Sequence, residues 1–338
     1  MNLQQERVLP LPDDLAQAHA LTEKLRARLS RAVRGRDDVI DLVLIGLLAD
    51  GHVLLEDYPG SGKTTLARAL GESIEPGGVA SGIAPYRRIQ FTPDLLPSDV
   101  TGTSIFQPET ANFVFRRGPV FSHVVLADEI NRTSPKVQAA MLEAMAEKQV
   151  TADNDTYPLD SLFFVIATQN PLDMAGTYPL PRPQLDRFLF KIQMKPIARE
   201  AELAVLADYP RPRLEHAARL EGVSRGQVLA ARERVRASVS IHESIREALV
   251  DCSERIREDS RVLQGVSTRA LVMFLPALQA RALLRGRDHV TPEDVGKLLR
   301  HVFAHRVECV PGIDDPGGVV REACRPVLEG LARGNLGP

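Results

Sequence analysis

Apolar positions recur at Leu15, Ala18, Leu21, Leu25 and Leu29, the spacing of one helix face, behind the acidic residues Asp13 and Asp14, so an amphipathic helix is expected to open the chain. Val33-Arg34-Gly35-Arg36 interrupts the pattern. Val39, Ile40, Leu42, Val43, Leu44, Leu47 and Leu48 then predict a second, more buried helix. It delivers the chain to His52-Val53-Leu54-Leu55, an apolar run short enough to be a buried strand. Further strands are expected at Tyr86–Phe91, Val124–Glu129, Leu162–Thr168 and Phe188–Met194, completing a five-stranded parallel sheet. Gly102–Phe106 with Asn112–Arg116, and Gln149–Thr151 with Thr156–Leu159, alternate apolar and polar residues around short polar turns and read as two inserted hairpins. Ser134-Pro135 starts a helix, and from Arg199 onward helical periodicity dominates, with Gly286 as a stop and Thr291-Pro292-Glu293-Asp294 as a start.

The pattern acquires chemistry where the first strand ends. Pro59-Gly60-Ser61-Gly62-Lys63-Thr64-Thr65 lies between that strand and a helical run beginning at Leu66. Strand, glycine loop and helix form the layout of a phosphate-binding loop, because glycines let successive N–H groups turn inward at a helix N-terminus. Lys63 is placed to reach β- and γ-phosphates, and Thr64 to put its hydroxyl on Mg²⁺. Asp57 stands where the strict pattern has glycine, so the motif lacks its first residue. The plainer alternative is a glycine-rich turn with a solvated lysine. Val33 and Gly35 precede the helix that feeds this loop and are candidates to pass near a bound adenine.

The strand at Val124 ends in Asp128 and Glu129. Beside a phosphate loop, Asp128 would hold hydrated Mg²⁺ together with Thr64, and Glu129 would face a water aligned on the γ-phosphate. The alternative is a simple helix cap by Asp128. Asn170, closing the next strand, is a candidate to bond the γ-phosphate or that water, and otherwise marks a turn before Pro171.

With 338 residues the chain has room for two domains at roughly 100 to 200 residues each. Its 42 Lys+Arg against 44 Asp+Glu give a net charge of −2, so no overall basic field draws it to nucleic acid or an anionic membrane. Arg87-Arg88 and Arg116-Arg117 are the basic pairs near the insertions and read as solvated strand edges. Three separated cysteines, with no C-x-x-C pair, suit reduced thiols. His301 and His305 share a helix spacing without a third ligand, which favours packing over metal. No apolar run approaches the ~20 residues that span a bilayer, and a soluble, cytoplasmic protein is expected.

Taken together, Leu126-Ala127-Asp128-Glu129-Ile130-Asn131-Arg132-Thr133-Ser134-Pro135-Lys136-Val137-Gln138, Ala167-Thr168-Gln169-Asn170-Pro171, Gln184-Leu185-Asp186-Arg187-Phe188 and Gly286-Arg287-Asp288-His289-Val290-Thr291-Pro292 resemble the MoxR-type AAA+ ATPases, over about residues 13 to 307. The resemblance implies an α/β fold: a P-loop αβα sandwich over residues 1–196, followed by a helical lid domain over 197–338. It implies ATP and Mg²⁺ as cofactors, and a homo-oligomeric ring, usually a hexamer, with active sites completed between subunits. Arg187 matches the position of an arginine finger, with Arg182, where family members commonly carry an acid, as a departure that could substitute for it or assist it. Arg269 matches a lid arginine that senses the γ-phosphate. The partners implied are a von Willebrand factor A-domain protein and protein clients that are remodelled, assembled or matured. A nucleotide-gated scaffold and a nucleic-acid-remodelling ATPase are the alternatives.

Overall fold

In the computed structural model, residues 11–56, 61–75, 83–153, 155–170, 176–208 and 221–334 are described. Asp57, Pro59 and Gly60 of the expected phosphate loop lie outside them. The chain divides into two compact units, one of residues 24–229 and one of residues 1–23 with 230–338. The boundary expected at residue 196 falls inside the first.

That first unit takes the last turns of α1 (Asp13–Ala32) and then runs α2 (Asp37–Leu48), β1 (His52–Glu56), α3 (Lys63–Glu72) and β2 (Ala84–Gln90). A hairpin of β3 (Gly102–Gln107) and β4 (Asn112–Arg117) precedes β5 (Ser122–Asp128) and α4 (Pro135–Glu147). A second hairpin of β6 (Gln149–Ala152) and β7 (Asp155–Pro158) leads to β8 (Phe164–Gln169), β9 (Phe188–Gln193) and α5 (Arg199–Ala207). β9, β1, β8, β5 and β2 lie side by side in that order, and every pairing is parallel. Helix-covered parallel strands are buried on both faces, which is why β1, β5 and β8 read as continuous apolar runs rather than alternations. All of β5 is buried. Leu54, Val125, Phe163 and Phe188 are among the side chains of this core, each contributing about 1.5–3 kcal/mol by leaving water.

Both expected hairpins form, with Phe106 opposite Phe113 in the first and Val150 opposite Tyr157 in the second. Period-two alternation puts Phe106, Phe113 and Phe115 on one face of β3 and β4. Phe115 stacks on Tyr157 with ring centres 3.9 Å apart and meets Phe121 edge-on. Further out, the Phe106 and Phe113 rings pair at 5.3 Å but stay 50% and 72% exposed.

The second unit is helical: the part of α6 (Arg225–Ser238) from residue 230, then α7 (Glu243–Glu258), α8 (Thr268–Leu284), α9 (Pro292–Phe303) and α10 (Pro316–Gly334). The charged stretch from Ala230 to Ile256 is two helices, the second capped by the His242 side chain, which accepts from Ser244 N. Thr291 opens α9 in a capping box: its backbone N–H donates to Asp294 Oδ2 at 2.9 Å. Asp294 is fully buried, and Arg287 pairs with it at 2.7 Å, so the Gly286–Thr291 segment has a structural task. The first turns of α1 bond to this helical unit, not to the sheet: Ser238 donates to Asp14, Arg234 to Gln17, and His19 Nδ1 meets Leu283 O at 2.8 Å. Cys252 and Cys324, far apart in sequence, become neighbours as free thiols. Among the described residues no helix is long and apolar enough to cross a membrane.

Candidate active site

Strand order decides where the chemistry gathers. In an open parallel sheet, ligands bind beyond the carboxyl ends of the strands, where the connections diverge. β2, β5 and β8 end in Gln90, Asp128 and Gln169, on the same edge where the loop after β1 enters α3. A cavity of about 440 Å³ opens there, within the size range of small-molecule sites. Ser61, Gly62, Lys63, Thr64 and Thr65 line one side of it, and Asp128, Glu129 and Asn170 another. Residues drawn from three separate stretches of sequence are thus brought together.

Gly62 caps α3 with φ 92° and ψ 11°, a left-handed conformation that a side chain resists. It turns the loop so that the N-terminal amides of the ten-residue helix α3 face the cavity, where the helix dipole favours an anion. A Cβ added to Gly62 would lie 3.5 Å from Val33 Cγ1, so Val33 sits against the loop. Gly35 does not line the cavity. It packs instead on α5, where an added Cβ would come within 2.6 Å of Ala201 Cβ.

Around the two carboxylates the hydrogen bonds close into a ring. Thr168 Oγ1 donates to Asp128 Oδ1 at 2.7 Å and accepts from the Glu129 amide at 2.9 Å. Arg88 donates to Asp128 Oδ2 through Nε at 3.0 Å and Nη2 at 2.6 Å. Nη2 also donates to Gln90 Oε1 at 2.5 Å, and Gln90 Nε2 donates to Glu129 Oε2 at 2.9 Å. Arg132 stands 3.5 Å from the same Glu129 oxygen. Glu129 was expected to finish the strand. It lies one residue beyond it, with φ 58° and ψ 50°, a left-handed geometry that costs a non-glycine residue about 1–3 kcal/mol and is met at active sites. That turn swings the Glu129 side chain off the strand's alternation and toward Gln90.

Gln90 and Thr168 drew no expectation from the sequence, and Arg88 was expected to be a solvated strand edge. The parallel register sets Gln90 opposite Asp128 and Arg88 opposite Leu126, so β2 presents both side chains on the face that carries Asp128. The period-two sequence Tyr86, Arg88, Gln90 at the end of a strand was the available signal. Arg88, though half exposed on the edge strand, is therefore paired across to Asp128 and not simply solvated.

The arginines are placed less centrally. Arg187 follows the short helix Arg182–Leu185, is half-buried, and donates through Nη1 to Leu142 O on α4. Arg182 opens that short helix and does not line the cavity. Arg269 is exposed in the first turn of α8 and belongs to the other compact unit.

The cavity fits a magnesium nucleotide by its own chemistry. It holds a helix N-terminus and an ammonium for phosphate, and a hydroxyl and a carboxylate of the oxygen type Mg²⁺ prefers. Ser61 Oγ, also on its wall, is buried with no hydrogen-bond partner among the described residues, the condition of a group whose partner is a ligand.

Residues 52–190 match the family described as "ATPase family associated with various cellular activities (AAA)", and residues 254–328 match the AAA lid domain. The chain is 37% identical to Chaperone MoxR1 of Mycobacterium tuberculosis over 309 residues, covering 86% of this chain and 76% of that protein. It belongs to the MoxR-type AAA+ ATPases. Protein MoxR of Paracoccus denitrificans is 32% identical over 343 residues, covering 94% and 96% of the two chains. YeaC of Bacillus subtilis is 45% identical over 293 residues, covering 87% and 88%. A crystal structure of a Cytophaga hutchinsonii protein assigned as an ATPase superposes with a TM-score of 0.82 at 35% identity, covering 93% and 96%. The P-loop αβα core and the helical lid of this family are the two kinds of architecture described above.

Proposed function

We propose that this MoxR-type ATPase binds ATP with Mg²⁺ in the 440 Å³ cavity, hydrolyses it, and uses the cycle to remodel, assemble or mature protein clients. The observation that carries the reading is the convergence of Ser61–Thr65 with Asp128, Glu129 and Asn170 on one cavity. In this reading Pro59 to Thr65 hold the phosphates, Lys63 meeting the β- and γ-groups and the α3 amides supplying partial positive charge. Thr64 and Asp128 hold Mg²⁺, which when bound neutralises charge on the β- and γ-oxygens. Glu129 orients the attacking water and accepts its proton, while Asn170 fixes the water or the γ-phosphate. Val33 and Gly35 place the segment that borders the adenine.

Arg187 serves a neighbouring subunit's nucleotide as the finger in a homo-oligomeric ring, with a hexamer as the expected size, and Arg182 assists it. Its bond to Leu142 O is then the contact it gives up on assembly. Arg269 reports γ-phosphate to the lid, coupling hydrolysis to lid motion. A von Willebrand factor A-domain protein is the expected partner for reaching clients, and the cytoplasm the expected compartment. The relative from Mycobacterium tuberculosis is named a chaperone, which supports the client reading.

The test compares wild type with Glu129→Gln. The proposal expects the variant to bind ATP and lose hydrolysis and client activity; full client activity in the variant would overturn it.

A second reading, nucleic-acid remodelling, gains one observation: the exposed Phe106 and Phe113 pair on a hairpin that also carries Arg116 and Arg117. Exposed aromatic faces are what single strands stack on, and the two arginines lie at the base of the same hairpin. Salt-sensitive binding of single-stranded DNA or RNA that is lost in Phe113→Ala would favour this reading, and its absence would dismiss it.

A further inference from the structure

Lys63 already gives the cavity a cation for phosphate, yet Arg88 adds a second one, spent on the carboxylate that the proposed function assigns to the metal. Asp128 offers two oxygens. Thr168 occupies Oδ1 at 2.7 Å, and Arg88 occupies Oδ2 with two donors, at 2.6 and 3.0 Å. The 2.7 and 2.6 Å bonds have the short separations of charge-assisted bonds, roughly twice as strong as neutral ones. The Asp128 side chain is only 11% exposed, so little water competes for it, whereas Arg88 is 48% exposed and has open cavity into which to turn.

We propose that Arg88 is a positioning residue that competes with the divalent cation for Asp128, holding Oδ2 until the cation is loaded and then yielding it. The proposal rests on the reading of the cavity as a magnesium–nucleotide site. Its physical basis is that a guanidinium and a doubly charged cation on the same carboxylate repel one another through a poorly solvated gap. The competition has a second effect through Gln90. Arg88 Nη2 donates to Gln90 Oε1, which leaves only Nε2 of that amide to face Glu129 Oε2. Arg88 therefore fixes which way the Gln90 amide points, and when it leaves Asp128 it also loosens the clamp on Glu129. One side chain ties the state of the metal carboxylate to the freedom of its neighbour.

The test measures cation binding directly, with Mn²⁺ in place of Mg²⁺. Free and bound Mn²⁺ are distinguished by electron paramagnetic resonance on the full-length protein at saturating ADP. Arg88→Met is expected to bind Mn²⁺ about tenfold more tightly than wild type, the equivalent of removing one charge-assisted competitor. Arg88→Lys, a single-pronged cation, should fall between them. Gln90→Leu, which cuts the link to Glu129 but leaves Arg88 on Asp128, should stay within about twofold of wild type in Mn²⁺ affinity. Far-ultraviolet circular dichroism and thermal midpoints identify any variant that fails to fold, and the lysine variant then carries the comparison.

Unchanged Mn²⁺ affinity in Arg88→Met and Arg88→Lys would make Arg88 a static strut and overturn the proposal. Weaker Mn²⁺ binding would also overturn it, by making Arg88 a ligand-side group that supports the metal–nucleotide complex. A wild type that binds ADP with no dependence on Mn²⁺ would instead bring down the reading of the cavity, and this proposal with it.

Discussion

Thr168 joins Asp128 to the next residue's backbone: its hydroxyl donates to Asp128 Oδ1 at 2.7 Å while accepting from Glu129 N at 2.9 Å. A single buried oxygen thus serves both acids of the site, one through its carboxylate and one through its amide. Thr168→Val keeps the shape and removes both bonds. Leaving a buried N–H and a buried carboxylate oxygen short of a partner costs about 1–3 kcal/mol. Urea unfolding should show that loss, and Thr168→Ser should restore most of it. A valine variant as stable as wild type would mean that water replaces the hydroxyl.

Glu129 carries its strain in the left-handed region, φ 58°. Replacing it by glycine relieves that strain and discards the bond from Gln90. Because the strain is worth about 1–3 kcal/mol and a net hydrogen bond about 0.5–1.5 kcal/mol, Glu129→Gly should unfold at the same or a slightly higher denaturant concentration while losing ATP hydrolysis. A clear drop in the unfolding midpoint would show that the hydrogen-bonded ring outweighs the backbone strain.

Gly35 combines φ 69° with close packing, an added Cβ lying 2.6 Å from Ala201 Cβ. Gly35→Ala should therefore destabilise by about 1–3 kcal/mol through overpacking. The double variant Gly35→Ala with Ala201→Gly should recover the packing part and keep the backbone part. If the double variant recovers nothing, the packing contact is not the cause.

His123, at the start of β5, is buried, with Nε2 3.8 Å from Asp160, which also pairs with Arg225 at 2.8 Å. Burial pushes the imidazole below its ordinary value; Asp160 pulls it back up, and Arg225 pushes it further down. The unfolded chain therefore takes the proton first. The stability tied to neutral His123 is complete above about pH 6.5 and is lost as pH falls through the lowered folded value. Thermal midpoints measured across that window should fall with acid in wild type and fall less in His123→Phe. Equal slopes would assign the acid sensitivity to another group.

The strands of the sheet and both hairpins were legible because their patterns are local. An apolar run such as Val124–Ala127 can only be satisfied between layers, and alternation around a polar turn can only be a hairpin half in solvent. Lys63, Asp128, Glu129 and Asn170, which the structure gathers on one cavity, stood out for a different reason, since each lies at or just past a strand end or starts a helix beside a glycine loop. Arg88 was misread because its partner is 40 residues away, and nothing local tells a solvated arginine from one paired across a sheet. The same holds for the first turns of α1, bonded to α6 and α8 residues more than 200 positions later. The left-handed turn at Glu129 had no sequence signal, because glutamate does not favour that conformation.

The stack of Phe115 on Tyr157 joins insertions that leave the chain at separate places. Their bases consequently behave as one stiff bracket, and the leverage of the assembly lies in the outer half of the first hairpin, where Phe106 and Phe113 emerge. Phe121 and Tyr157 come just before β5 and β8 in the chain, so the joint meets the sheet at the amino ends of its central strands, a strand length from Asp128 and Gln169 at their carboxyl ends.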